Sequence, residues 1–391
     1  MLTAYEKYIS ALDTTSKLRK LPEGPDPALG KFIDFASNDY LGMSQNKEVI
    51  AAAKAAADTY GVGATGSRLL SGNLSIFGEL EAKIARDKGS EACLLFNSGF
   101  QANYSSLASL LDEKTLGSKA LVFFDKLNHS SLYQGVWQSG AELLRFRHNS
   151  IPHLSDLLEK YRHSDRPKFI ITESLFGMDG DLAPLEGIAL LARLHGALLY
   201  IDEAHATGLF GPQGLGLGRS MFMSKMEALP KEESPLKVII MGTFSKALGG
   251  SGAYLCCSHT IKNYLINKAS GFIYSTAPSP ISMAAAHTAW ELMKSMDLER
   301  KKILGLALSL REKLKSLDFD CGSSESHIVP IIMNDEARSI KAKQILFERG
   351  LIVSAIRPPT VPMGTSRLRV ALNTNHGEED IEHLVEGLKN L

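Results

Sequence analysis

Val238-Ile239-Ile240-Met241-Gly242-Thr243-Phe244-Ser245-Lys246-Ala247-Leu248-Gly249-Gly250 is an apolar, β-branched run that stops in a turn of small and hydroxyl residues. The run reads as a buried strand, and the glycines and hydroxyls read as its exit. Five more runs of the same kind accompany it, at 92–96, 120–124, 169–172, 197–201 and 253–257. Amphipathic stretches separate most of them, for example 76–88, 151–161 and 185–194. Strands that alternate with helices predict βαβ units and a mostly parallel sheet. A long helical pattern follows at 281–317. After it come strand-like runs at 328–333, 352–355 and 367–372, with helical segments at 339–349 and 378–388. The expected organisation is an N-terminal helix and arm over 1–45, a large domain over 46–280, and a small α+β domain with its linking helix over 281–391. Residues 22–27 read as an extended link. Residues 212–237 read as a loop with a short helix that ends in a charged turn, 230–235.

Composition narrows the class. The chain has 391 residues, and 44% are hydrophobic, enough to bury a large core without disulfides or a structural metal. Lysine plus arginine equals aspartate plus glutamate at 43 each, which gives no electrostatic footprint for nucleic acid or an anionic membrane. Cys93, Cys256, Cys257 and Cys321 form no C-x-x-C pair, so neither a zinc site nor a redox pair is suggested. The first residues have no apolar leader core, and no run approaches the roughly 18 apolar residues of a membrane span. A cytoplasmic location is expected, with no membrane partner and no metal.

Four segments at strand ends carry the chemistry, and open α/β sheets collect ligands at the carboxyl ends of their strands. Asp202-Glu203-Ala204-His205 leaves the 197–201 run. An aspartate there suits a cofactor ring nitrogen that must stay protonated, and His205 suits a phenolic oxygen beside it. The same aspartate also reads as a cap for the next loop. Lys246 stands where a Schiff-base lysine belongs, since partial desolvation lowers an amine's pKa and makes it nucleophilic. Thr243 and Ser245 supply hydroxyl donors for a phosphate. Gly99, in Asn97-Ser98-Gly99-Phe100, precedes a helix expected over 100–111 whose free N–H groups form an anion site. His129, in Asn128-His129-Ser130-Ser131, reads as a ring stacked on the cofactor, or as a cap. Together these features suit pyridoxal 5'-phosphate.

The chain resembles the α-oxoamine synthases, pyridoxal-phosphate enzymes of aminotransferase fold type I, over about residues 16–388. The motifs that carry the resemblance are Ser37-Asn38-Asp39-Tyr40-Leu41-Gly42, Gly66-Ser67-Arg68-Leu69-Leu70-Ser71-Gly72, Ser98-Gly99-Phe100, Asn128-His129, Met178-Asp179-Gly180-Asp181, Asp202-Glu203-Ala204-His205 and Thr243-Phe244-Ser245-Lys246. The resemblance implies a seven-stranded, mostly parallel sheet between helices, plus the smaller C-terminal α+β domain. It implies that Lys246 carries the cofactor, that Asp202 pairs with the ring nitrogen and His205 with the phenolic oxygen, and that His129 stacks on the ring. Ser98, Gly99, Phe100, Thr243 and Ser245 would hold the phosphate end. The family's site lies at a homodimer interface, and Thr276 of Ser275-Thr276 would reach the phosphate in the partner subunit. Arg369 would bind an amino-acid carboxylate, and Arg19, Asn38 and Thr360 would touch substrate.

Within the family, Ala355-Ile356-Arg357-Pro358-Pro359-Thr360-Val361-Pro362 and Gly364-Thr365-Ser366-Arg367-Leu368-Arg369 are most similar to one branch of acyltransferases. That branch joins L-alanine to a pimeloyl thioester, carried by coenzyme A or acyl carrier protein. Relatives that take glycine and an acetyl group, or another acyl donor, are the alternative. An aminotransferase of the same fold is the alternative from another reaction class. Two departures stand out. Gly177 occupies a place where some members carry a serine that bonds the cofactor. The 212–237 segment is longer than in compact members.

Overall fold

The computed structural model describes residues 1–15, 17–19, 21, 32–223 and 236–389. The expected link at 22–27 and turn at 230–235 lie outside the described residues. Two compact units emerge, Asp39–Phe176 with Leu182–Asp297, and Met1–Asn38 with Gly177–Asp181 and Leu298–Leu391.

In the larger unit a seven-stranded sheet runs, edge to edge, Ala92–Phe96, Ala253–Cys257, Lys237–Thr243, Leu198–Asp202, Lys168–Glu173, Leu121–Asp125, Glu142–Phe146. Ala253–Cys257 is antiparallel to both its neighbours, and every other pairing is parallel. Two reversals restore direction, so Phe96 ends on the same rim as Thr243, Asp202, Glu173 and Asp125. The strands read as continuous apolar runs because both their faces are covered. Leu94, Val122, Ile171 and Met241 pack on one face against Ala102, Leu107, Leu132 and Val136 of two helices, Gly99–Leu110 and Ser130–Ser139. The edge strand Glu142–Phe146 escaped the sequence reading. Only its last residue is fully buried, and Glu142 turns outward to Arg166 at 2.7 Å, so the apolar signal is diluted.

The helical pattern at 281–317 is two helices, Pro280–Met293 and Asp297–Ser316. The first packs on the helices Lys47–Tyr60 and Ser75–Lys88 and belongs to the larger unit. The division therefore falls at residue 297 and not at the expected 280. In the smaller unit an antiparallel sheet runs Ser354–Ile356, Ser366–Ala371, Ile328–Asn334. The expected 352–355 strand is split, because Leu351–Ile352 pairs instead with Ile33–Asp34. Helices Glu336–Glu348 and Glu378–Leu388 complete this unit, and the N-terminal helix Leu2–Thr14 buries none of its residues. No described helix is long and apolar enough to cross a membrane. Of the 212–237 segment, Pro212–Gly214 forms a 3-10 turn and Arg219–Met223 a short helix.

Candidate active site

The common rim of the larger sheet holds a cavity of about 240 Å³. Lys246, Asp202, His205, His129, Ser98, Gly99, Phe100, Thr243 and Ser245 all line it, so nine expected residues meet in one place. Parallel strand ends bring them there. Asp202 closes one strand and Thr243 the next, while the turns that follow deliver His205 and Lys246.

Asp202 is 4% exposed and sits at the buried end of the cavity. Its Oδ2 accepts from Asn103 Nδ2 at 2.7 Å and its Oδ1 from the Ala204 N–H at 2.8 Å. Lys246 Nζ lies 2.8 Å from His205 Nε2, and the far ring nitrogen of His205 lies 2.8 Å from the Tyr40 hydroxyl. An ammonium only donates, so with Lys246 charged the Nε2 accepts and the Nδ1–H points to Tyr40. Tyr40 is fully buried and fixes that ring. His129 Nδ1 meets the Ser131 hydroxyl at 2.7 Å, and the His129 N–H donates to Glu173 Oε1 at 2.6 Å. Burial lowers the His129 pKa and Lys246 adds to the drop, against the pull of Asp202. Burial also drives Glu173 well above the carboxylate range, and the charge of Asp202 reinforces it.

At the opposite end Ser98 caps the Gly99–Leu110 helix through the Gln101 N–H at 3.1 Å. The N–H groups of Gly99 and Phe100 have no place in the helix's own ladder. Thr243 Oγ1 lies 2.8 Å from Ser245 Oγ. A Cβ added at Gly99 would stand 3.8 Å from the Thr243 side chain, filling the cradle between helix start and hydroxyls. An anion-binding end with two hydroxyls and a helix N-terminus fits a phosphate. A buried carboxylate at the other end fits a protonated ring nitrogen. The residues present fit pyridoxal phosphate.

Other expected residues lie elsewhere. Thr276 is absent from the lining of this cavity. Its carbonyl and the Ser275 hydroxyl each accept from Asn97 Nδ2 at 2.9 Å, and Thr276 bridges to Ser67. In the smaller unit Arg369, 3% exposed, donates to the Gly177 carbonyl at 2.6 Å and to Asn38 Oδ1 at 3.1 Å. The backbone of Gly177 thus orients the arginine. Arg19 donates to Thr360 Oγ1 at 2.8 Å. Sequence reasoning left Tyr40, Asn103, Ser131, Glu173 and Tyr200 without a role. Tyr40 and Ser131 sit in stretches quoted for other residues, Asn103 lies three positions beyond Phe100, and Glu173 ends a strand on the same rim.

A family model for aminotransferase class I and II matches residues 30–388. An 8-amino-7-oxononanoate synthase of Gluconacetobacter diazotrophicus is 42% identical, over 91% of this chain and 87% of the relative. A solved 8-amino-7-oxononanoate synthase from Francisella tularensis superposes with a TM-score of 0.76 at 28% identity, covering 92% of this chain and 97% of that one. A serine palmitoyltransferase variant from S. paucimobilis, with a bound PLP–myriocin aldimine, gives a TM-score of 0.83 at 29% identity, covering 92% and 87%.

Proposed function

This chain belongs to the aminotransferase class I and II family, and from that premise we propose that it joins L-alanine to a pimeloyl thioester, releasing carbon dioxide and forming 8-amino-7-oxononanoate. It is an acyltransferase of the α-oxoamine synthase kind, with pyridoxal 5'-phosphate as its cofactor. The observation that carries the reading is the meeting of Lys246, Asp202, His205 and His129 in one cavity. The likeness to named 8-amino-7-oxononanoate synthases supports the choice of alanine and pimeloyl group.

When bound, the cofactor supplies an electron-poor ring that takes up the charge of a carbanion at the amino acid's Cα. The protein's part is placement and proton handling. The Asp202 carboxylate, buried in the cavity wall, faces the ring nitrogen. The hydroxyls of Thr243 and Ser245 and the start of the Gly99–Leu110 helix hold the phosphate end, and His129 covers one face. Lys246 Nζ takes the Cα proton, and His205 Nε2, 2.8 Å away, orients that amine. Arg369 grips the amino-acid carboxylate, a planar bidentate contact that lysine does not reproduce. Cα then bonds to the acyl carbon as the thiolate leaves, the carboxylate departs as carbon dioxide, and Lys246 Nζ returns a proton to Cα. The thioester is one of coenzyme A or acyl carrier protein. We propose a homodimer in which Thr276 serves the second copy's phosphate end, as the resemblance to the α-oxoamine synthases implies.

Incubation of the holoenzyme with L-alanine and pimeloyl-CoA tests the reading. The expected product has the mass of 8-amino-7-oxononanoate, with carbon dioxide released in equal amount. Faster turnover of glycine with acetyl-CoA would sink the substrate choice. Conversion of the cofactor to its amine form by L-alanine alone would point to transamination instead.

A further inference from the structure

Asn103 lies in the second turn of the Gly99–Leu110 helix and is 1% exposed. Its Nδ2 stands 2.7 Å from Asp202 Oδ2 and 2.9 Å from Ser131 Oγ. Its Oδ1 accepts from the Tyr200 hydroxyl at 2.8 Å. The amide has only one workable orientation. An ionised carboxylate accepts and never donates, so Nδ2 must face Asp202 and Oδ1 is left for Tyr200. Ser131 Oγ receives one amide hydrogen, and its own single hydrogen passes to His129 Nδ1 at 2.7 Å. The Ser131 N–H also points to that nitrogen, at 3.2 Å. His129 Nδ1 therefore carries no hydrogen, and the neutral ring keeps its proton on Nε2. One hydrogen-bonded chain runs Tyr200, Asn103, Ser131, His129, with Asp202 as its branch.

Among the described residues Asn103 supplies the one side-chain donor to Asp202. The titratable groups around that carboxylate are Tyr200 on its own strand, Glu173 at the end of the neighbouring strand, and His129, His205 and Lys246 across the cavity. Burial and the charge of Asp202 raise both Tyr200 and Glu173 well above their ordinary values.

We propose that Asn103 is a positioning residue whose amide, held by Tyr200, sets the Asp202 carboxylate toward the cofactor's ring nitrogen and, through Ser131, sets the His129 ring on the cofactor's face. The inference rests on the function proposed above. Buried polar networks of this kind act as a unit, so loosening one member disturbs all. With Asp202 less well held, less positive charge stays at the ring nitrogen. The nitrogen that joins Lys246 to the cofactor then binds its own proton more tightly.

The test is a pH titration of the visible absorbance of the holoenzyme, run on wild type, Asn103→Leu and Tyr200→Phe, with cofactor affinity and thermal midpoint measured beside it. Asn103→Leu is expected to raise the pH midpoint of the absorbance change by about half a unit or more and to weaken cofactor binding. Tyr200→Phe, which leaves the amide in place but unanchored, is expected to shift the midpoint the same way by less. A lowered thermal midpoint with the absorbance midpoint unmoved in both variants would make Asn103 merely structural and overturn the inference alone. If Asn103→Leu does not fold, the Tyr200→Phe shift decides. A wild-type protein that shows no cofactor absorbance would bring down the proposed function, and this inference with it.

Discussion

Lys246 and Asp202 mark the two ends of a charge separation built by strand ends, and each makes a sharp prediction. Lys246→Ala removes both the attachment point and the base, so visible absorbance and turnover are expected to vanish together. A variant that kept the wild-type spectrum would rule out the lysine. Asp202→Asn keeps the shape and the Asn103 contact but loses the charge, so it should hold cofactor and lose most of its kcat, on the order of 100-fold or more. Near-normal turnover would argue against the ring-nitrogen role. Arg369→Lys keeps the charge and loses the planar fork, so KM for the amino acid should rise well beyond any change in KM for the thioester. Lys246 and Asp202 stand out in the sequence because each sits in a short motif at a strand end, and Arg369 because it falls in the strand Ser366–Ala371. Asn103, Ser131 and Tyr200 do not, because their meaning is a set of contacts between residues 28, 97 and 99 positions apart. A one-dimensional motif does not contain such a network. The expectation for Thr276 rests on family resemblance alone, since nothing local to Ser275-Thr276 indicates a phosphate.

At the scale of elements, one ion pair ties a helix end to the turn that carries the chemistry. Lys88 ends the Ser75–Lys88 helix, and its Nζ lies 2.6 Å from Glu203 Oε2 with both side chains fully buried. Burial pulls the lysine's pKa down, but Glu203 outweighs it, and the net shift is upward. The second Glu203 oxygen accepts from the Gly218 N–H at 2.5 Å. A Cβ at Gly216 would come within 2.2 Å of Glu203 Oε2, and its φ of +86° already favours glycine. Gly216 and Gly218 therefore let a backbone turn close over a buried carboxylate. Lys88→Met strands that carboxylate without a cation and is expected to cost about 3–5 kcal/mol in urea unfolding. The double variant Lys88→Met with Glu203→Gln should recover part of the loss. A single variant as stable as wild type would show that Glu203 finds another counter-charge. The sequence reading placed Lys88 on an amphipathic helix but could not see this partner, 115 residues away. Helix and strand positions followed from periodicity alone. The edge strand Glu142–Phe146 and the break between the two helices after residue 280 did not, since a half-exposed strand loses its apolar run and two amphipathic helices in series look like one.

Across the whole molecule, histidines set the acid side of stability. Burial holds His129, His195 and His287 of the larger unit and His376 of the smaller unit below the ordinary value of 6.5. His376 is stacked on Phe35 at 4.3 Å, and its Nδ1 accepts from the Asn373 N–H at 3.1 Å, both of which suit a neutral ring. Below pH 6.5 the unfolded chain takes up protons that the folded one refuses, so stability falls as pH falls and is flat above that point. Glu173 works in the opposite sense. Its raised pKa lets the folded state keep a proton that the unfolded chain releases above about 4.5, so it favours the fold on acidification. Among the described residues, these four histidines set against Glu173 predict a net loss. The thermal midpoint of the cofactor-free protein should drop steadily from pH 7 to about 5.5. His376→Gln should make that slope shallower even if it lowers the midpoint at pH 7, because it removes one proton uptake along with a packing contact. A slope that His376→Gln leaves unchanged would show that its ring is protonated in the folded state, and a midpoint that rises on acidification would put Glu173 in control instead.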